Sequence, residues 1–273
     1  MKTDLSKKIV EDLEKVGFPA EVLISTDLDK ASWMVYNGAL FEDKEEGKSR
    51  EIDVHAVYVD FSFIKKVPAK TKAGGENKLI SHLVVEVKKT TKPWIFFDNG
   101  RMNWPQVQPE NFKSEHEEFH DLLFDDLKAY GMKTHRYKDA ILHKSYHVSF
   151  SNPSEQSVIY EALIKTSKAL DYFKEHYGMG QYVIHLFTPI IVIDGSLWTA
   201  TLNKDKKVKV KEVNSLFVVF SHLTKDNRLN MAFEEEQICE VVTLKSFKKH
   251  LTIIEKDNKE IYKAWTRFIN TLK

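Results

Sequence analysis

The sequence predicts an α/β fold, and three of its features support that prediction. Apolar residues recur with helical spacing within the first 31 residues and again from 152 to 178. Two segments, 50–64 and 79–89, alternate apolar and polar residues as β-strands do. Helical and strand segments that follow one another in this way are expected to form a sheet covered by helices.

The N-terminal third is predicted to contain two helices followed by three strands. Residues 4–16 have helical spacing, and after the break at "GFP" the segment Pro19–Ala31 begins with a proline suited to the first turn of a helix. The predicted strands are Trp33–Phe41, Arg50–Ile64 and Leu79–Lys89. A turn at "EDKEEGKS" joins the first two, and a lysine-rich Gly-Gly segment forms the tip of the long hairpin that follows.

The rest of the chain is predicted to add further strands and helices after an irregular segment. Residues 98–150 show one helical stretch, "HEEFHDLLFDDLKAYG". The later expected elements are a helix from Asn152 to Gly178, the strand Tyr182–Ile193, a hairpin turn at Asp194–Gly195 into "SLWTATL", the strand Leu216–Ser221 and a helix from about Leu244 to Leu272. One domain over 1–273 is expected, with a split near residue 110 as the alternative.

Composition limits the classes of function that the chain can have. Lys and Arg number 41 and Asp and Glu 40, so the net charge is +1 and any nucleic-acid binding must come from local patches or a metal site. The single cysteine, Cys239, excludes an intrachain disulfide and a cysteine-based zinc site. The charged N-terminus and the short apolar runs predict a cytoplasmic protein with no signal peptide and no membrane partner.

The strand "REIDVHAVY" is expected to place its polar and apolar side chains on opposite faces. Strict alternation would put Glu51, Asp53 and His55 on one face, and Ile52 and Val54 on the other. The polar face would then carry two carboxylates near one another.

A charged pair also interrupts the apolar stretch "LVVEVKKTTKPWIFF". Glu86 and Lys88 are two residues apart and would point to the same face, where burial is costly unless the charges are compensated. If this strand pairs with the preceding one, Asp53 lies beside Glu86, and a divalent cation with oxygen ligands would offset the repulsion between the carboxylates. Lys88 would not bind the metal but could steady an attacking water or the charge that develops on a phosphate.

Asp53 followed by Glu86-Val87-Lys88, on two adjacent strands after an N-terminal helix, resembles the PD-(D/E)xK nuclease superfamily. The contexts "GKSREID" and "VEVKKTTKPWIFF" are similar to an uncharacterised prokaryotic branch of it. The resemblance implies that Asp53 and Glu86 bind Mg²⁺, for which Mn²⁺ would substitute, and that Lys88 assists the water. Glu21, in the first turn of the second helix, matches an acidic residue that often joins the catalytic and metal-binding set. Two departures are Ile52 in place of the proline and the long gap between Asp53 and Glu86.

The resemblance also implies a restriction-endonuclease-like fold. Its αβββαβ core would be a mixed central sheet flanked by helices, and its second helix and next strand would be Ser154–Tyr177 and Tyr182–Ile193. Residues at about 98–150 would be an insertion, and the remaining strands and the last helix would be C-terminal additions. The resemblance to the superfamily covers Pro19–Phe97 by both motif and element order, and it covers the later elements by their order alone.

Simpler explanations compete with these assignments. Asp53, Glu86 and Lys88 could be ordinary cross-strand ion pairs on a solvated sheet face, and acidic residues such as Glu21 are favoured in any first helical turn. Glu51 could be a neighbour of the site or a surface charge. His55 and His82 receive no role. The segment "KTHRYK" at Lys133–Lys138 mixes basic and aromatic residues as nucleic-acid surfaces do, but it is not favoured as one. Trp94 and Cys239 are expected to be buried.

Four basic residues are candidates for contacting a nucleic-acid backbone: Arg50, Lys65, Lys66 and Lys89. Arg50 could equally pair with the acidic turn "EDKEE", and lysines at a hairpin tip commonly serve only solubility. The expected function is a Mg²⁺-dependent endonuclease acting on DNA, and cleavage of both strands would favour a homodimer. The alternative is a catalytically inactive nuclease-like binding module in a DNA defence or repair assembly. An unrelated enzyme is disfavoured because no P-loop, GxGxxG, GxSxG or HExxH motif is present.

Overall fold

A mixed β-sheet of eleven strands runs through the described part of the chain, which also contains four α-helices. The structure, a computed structural model, describes residues 2–14, 17–59, 78–98, 112–114, 136, 141–152, 155–178, 183–226 and 231–271. The helices are α1 (Lys2–Leu13), α2 (Phe18–Lys30), α3 (Ser157–His176) and α4 (Leu244–Thr271). The strands are β1 (Met34–Asp43), β2 (Lys48–Val59), β3 (Lys78–Lys89), β4 (Trp94–Asp98), β5 (Phe112–Lys113), β6 (Leu142–Val148), β7 (Val183–Asp194), β8 (Leu197–Leu202), β9 (Val208–Val213), β10 (Ser215–Asp226) and β11 (Met231–Thr243).

The strand order in the sheet is β1-β2-β3-β7-β11-β10-β6-β4-β8-β9, and β5 pairs with β7 outside this path. The first three strands form an antiparallel meander, and β7 then adds parallel to β3. A parallel neighbour needs a crossover connection, and α3 lies in the connection between β3 and β7. The chain therefore runs α2, β1, β2, β3, α3 and β7 at this end of the sheet, with β4 to β6 between β3 and α3.

The helices cover both faces of the sheet. On one face, Ile24 and Leu28 of α2 and Phe247 of α4 share a buried cluster with Val54 and Val85 of the sheet. On the opposite face, residues of α3 pack over the other side of the same strands: Ala169, Leu170 and Phe173 with Val84 and Phe187. The α3 face is the face to which Glu86 belongs, since it lies two residues after Val84. None of the described helices combines the length and apolarity needed to cross a membrane.

Most of the predicted elements near the expected site agree with the structure. The helix predicted from Pro19 is α2, the helix predicted over 152–178 is α3, and the three predicted strands are β1 to β3. Residues 60–64 of the second predicted strand, the lysine-rich hairpin tip and the helix predicted at 116–131 lie outside the described residues.

The predicted hairpin at Asp194–Gly195 is wrong. β7 and β8 do not pair; β8 lies instead between β4, to which it is parallel, and β9. The structure also adds β11, which the sequence reasoning did not anticipate and which separates β7 from β10 in the sheet. The segment expected to be an insertion contributes β6 to the same sheet, between β10 and β4.

Candidate functional site

The pairing of β2 with β3 brings Asp53 next to the Glu86–Lys88 segment. The two strands are antiparallel, and their paired residues extend from Val54 opposite Val85 to Val59 opposite Ile80. Asp53 stands just beyond that last pair, where its Oδ2 accepts a hydrogen bond of 2.6 Å from the backbone N–H of Val87. A hydrogen bond to a side chain thus replaces a backbone hydrogen bond between the strands, and it fixes the Asp53 carboxylate beside β3.

The strict alternation expected for β2 is wrong around Asp53. Ile52 packs with the cluster beneath α3, whereas Val54 packs with the cluster on the α2 face, although the two are only two residues apart. In the neighbouring strand, Gly38 has a φ of +61°, a left-handed conformation that favours glycine. The Glu51 side chain lies against Gly38, since a Cβ there would be 2.9 Å from Glu51 Oε1. The left-handed backbone of Gly38 therefore lies beside the point where the side chains of β2 change face, at Asp53.

Glu86 is the most deeply buried charge of the group, with no exposed surface. Its Oε1 lies 2.5 Å from Lys88 Nζ, and its Oε2 lies 2.7 Å from Lys165 Nζ. Burial raises the pKa of Glu86, as does the charge of Asp53, while the two ammonium groups lower it. The buried carboxylate is therefore compensated by two lysines, of which the sequence identified only Lys88.

Lys165 is the member of this charged cluster that sequence reasoning missed. It extends from α3, and its Nζ lies 3.2 Å from Asp53 Oδ1 as well as 2.7 Å from Glu86 Oε2. Burial would lower the pKa of Lys165, but Glu86 and Asp53 raise it above its ordinary value. An indication was present in the sequence: Lys165 follows Ala162 by three residues and precedes Ala169 by four, which directs it towards the buried side of the helix.

The charges of this cluster act on Glu21. Burial raises the pKa of Glu21, and the charges of Asp53 and Glu51 raise it further, while Lys165 and Lys88 act in the opposite direction. These described groups comprise four carboxylates and two ammonium ions, so their full ionisation leaves two negative charges in excess. Among the described residues, no group of three or more His, Cys, Asp or Glu side chains is arranged to hold a metal ion.

The donor set nonetheless fits a hard divalent cation. Asp53 Oδ1 and Glu86 Oε2 both face one point, and a positive group, the Lys165 ammonium, already lies there. Carboxylate oxygens are the ligands that Mg²⁺ prefers. When Glu21 and Glu51 are also ionised, the cluster has two excess negative charges, which one divalent cation would neutralise.

The two described residues that were predicted to contact nucleic acid, Arg50 and Lys89, have other partners than the acidic cluster. Arg50 pairs with Asp43 at 2.8 Å and with Glu46 at 2.7 Å, which agrees with the alternative that it serves the acidic turn. Lys89 follows Lys88 directly, and its Nζ lies 3.8 Å from Asp194 and donates to the backbone oxygen of Glu14. Lys65 and Lys66 lie outside the described residues.

Arg136, the one described residue of "KTHRYK", is buried. Its side chain contacts Glu240 of β11 at 2.5 Å and Asp257 of α4 at 3.1 Å, and Glu240 also pairs with His250. This charge network ties the middle segment of the chain to the C-terminal elements. Arg136 is thus not part of a surface that could contact nucleic acid.

The remaining singled-out residues are buried in the interior. His55 and His82 form a chain of ring contacts with His185 across β2, β3 and β7, on the α3 face of the sheet. Trp94 and Cys239 are each 1% exposed, as the sequence predicts. Comparison with protein-family models, with curated proteins and with solved structures finds no match to this chain.

Proposed function

We propose that the chain is a Mg²⁺-dependent nuclease of the PD-(D/E)xK type that hydrolyses phosphodiester bonds in DNA. The observation that carries the proposal is the convergence of Asp53, Glu86 and Lys88 within one cluster of side chains on adjacent antiparallel strands. The order α2, β1, β2, β3, α3 and β7 also supports it, because it corresponds to the αβββαβ core of that superfamily. In this proposal β5 and β6 belong to the insertion at about 98–150, and β8 to β11 with α4 are additions.

Each side chain has a role that its surroundings favour. Asp53 and Glu86 would hold Mg²⁺, and Glu21 would complete the acidic set from α2. The bound ion would polarise the phosphate and lower the pKa of a water molecule. Lys88 is partly exposed, with 30% of its side chain accessible, and its ammonium lies against Glu86. It can therefore position the water or stabilise charge on the phosphate while remaining anchored by the buried carboxylate.

A catalytically inactive binding module is the second candidate, and one observation favours it. Both carboxylates that would hold the metal already contact ammonium groups, as in a purely structural charge network. The net charge of +1 also provides little general attraction for a polyanion. Such a module would bind no divalent ion and cleave no substrate.

Cleavage assays test the proposal directly. We expect the wild type to cut DNA in the presence of Mg²⁺, and Lys88→Ala to cut at least about 100-fold more slowly, the usual loss when a group that assists proton or charge transfer is removed. Lys92→Ala is the matched control, because Lys92 lies just beyond β3 and pairs with Glu155. Equal cleavage by Lys88→Ala and the wild type would contradict the assignment of Lys88, and cleavage of RNA alone would change the substrate class.

Thermal unfolding separates the nuclease from the binding module. A divalent ion that binds only the folded chain must raise its melting temperature. We expect a rise with Mg²⁺ or Mn²⁺ in the wild type and none in Glu86→Gln. A wild type that neither cleaves nor responds to either ion would favour the binding module.

A further inference from the structure

Lys165 occupies the position between the two carboxylates that a shared cation would need. Its Nζ contacts Asp53 Oδ1 at 3.2 Å and Glu86 Oε2 at 2.7 Å. The other oxygens have different partners, since Asp53 Oδ2 accepts from Val87 N–H and Glu86 Oε1 faces Lys88. The two oxygens that converge are therefore the two that Lys165 holds.

An ammonium ion and a divalent cation cannot share this position. Mg²⁺ binds oxygen at about 2.0–2.1 Å, so an ion shared by Asp53 and Glu86 would lie within a few ångströms of the ammonium and repel it strongly. One of the two cations must leave. Lys165 is tethered to α3, but its side chain is 27% exposed, which gives the ammonium a route towards solvent.

The charge of Lys165 also acts on Glu21 of α2, so this carboxylate would still attract an ammonium that had left Asp53 and Glu86. The same α3 helix carries Lys168, which instead contacts Asp43 and Glu45, so the two lysines serve separate acidic groups.

We propose that Lys165 is a built-in counter-ion that holds Asp53 and Glu86 together and ionised until a divalent cation displaces it. The inference rests on the proposed metal site and names a positioning residue for it. Without the ammonium, two neighbouring carboxylates, one of them fully buried, would repel each other and favour a protonated form. With the Lys165 ammonium in place, both carboxylates stay ionised and close together, but the ammonium competes with the metal for them.

Calorimetric titration with Mn²⁺ tests this role. Lys165→Met removes the competing charge, so we expect it to bind Mn²⁺ at least about tenfold more tightly than the wild type, while its metal-free form melts at a lower temperature. Lys165→Gln keeps hydrogen-bond donors without the charge and should bind more tightly as well. Lys168→Met is the matched control: it removes an ion-paired lysine from the same helix and should leave the affinity unchanged.

A second measurement needs only the wild type. Reductive methylation followed by mass spectrometry reports how accessible each lysine ammonium is. Addition of Mg²⁺ should accelerate labelling of Lys165 and leave Lys168 unaffected. If the wild type and all variants fail to bind Mn²⁺, the proposed metal site is wrong. If the wild type binds, but Lys165 variants bind no more tightly and labelling of Lys165 does not increase, the site stands and the displacement of Lys165 is wrong.

Discussion

At the scale of single residues, Asp53 combines two roles that substitution can separate. Its Oδ2 accepts the Val87 N–H, while its Oδ1 faces Lys165. We expect Asp53→Ala to leave the Val87 N–H without its acceptor and to lower the free energy of unfolding by about 1–3 kcal/mol. Asp53→Asn can still accept that hydrogen bond and should be clearly more stable than Asp53→Ala, as measured by urea denaturation.

The same two variants report on the metal site. Both lack the carboxylate charge, so neither should show the rise in melting temperature that we expect for the wild type with Mg²⁺. A normal response of Asp53→Asn to Mg²⁺ would show that Asp53 serves the junction of β2 and β3 and no metal.

The part of the site that the sequence predicts is the part contained in local pattern. Glu86 and Lys88 share a face because they are two residues apart in one strand, and Asp53 joins them because β2 and β3 follow one another in an antiparallel meander. Lys165 was not predicted, since its position depends on how α3 crosses the sheet, more than a hundred residues after Asp53 in the chain. The side chains of β2 change face at Asp53, opposite the left-handed Gly38, and alternation alone does not reveal this change.

At the scale of elements, Gly195 shows why the predicted hairpin was wrong. Asp-Gly after a strand is a strong hairpin signal, but here the glycine serves a close approach between backbones. A Cβ at Gly195 would lie 2.6 Å from the Thr90 carbonyl oxygen, and Thr90 N–H donates to Asp194 O. The chain end of β7 is thus joined to the end of β3, and β8 continues to a different neighbour, β4.

Substitution at this crossing has a predictable cost. We expect Gly195→Ala to lower the free energy of unfolding by about 1–3 kcal/mol, because the backbone of Thr90 cannot move aside without disturbing the junction of β3 and β7. Gly178→Ala is the matched control, since a Cβ there meets no atom within 4 Å. Equal stability of the two variants in urea denaturation would contradict the close approach.

At the scale of the whole molecule, a chain of three buried histidines links β2, β3 and β7 beneath α3. Nε2 of His185 faces the Gly178 carbonyl at 3.2 Å, and a carbonyl only accepts, so this nitrogen carries the proton. Nδ1 of His185 must then accept from Nε2 of His82, and Nδ1 of His82 from Nε2 of His55, at 3.0 and 3.3 Å. Each ring is neutral in this arrangement, and a further proton on His82 or His185 would place two N–H groups against each other.

Neutral histidines make the stability of the fold dependent on pH. Burial lowers the pKa of His55 to about 4. Burial, together with the charges of the neighbouring rings, lowers the pKa of His82 to about 2. Burial and Lys113, opposed by the hydrogen bond to Gly178, lower the pKa of His185 to about 4. In the unfolded chain each titrates near its ordinary value of about 6.5. Below that pH the unfolded chain binds more protons than the folded one, so stability is complete above about pH 6.5 and falls as the pH approaches 4.

We expect the loss to be on the order of 1–2 kcal/mol for each histidine between pH 7 and pH 5. Urea denaturation across this range measures it, and His55→Gln should reduce the slope of stability against pH by the share of one buried histidine, since burial lowers the pKa of His143 too and it contributes beside the three. Comparing variant with wild type cancels carboxyl groups such as Glu86, whose raised pKa acts in the opposite direction. His147→Gln, at an exposed position, is the control and should keep the full slope. A slope that His55→Gln leaves unchanged would mean that the histidine chain takes up protons without unfolding the sheet.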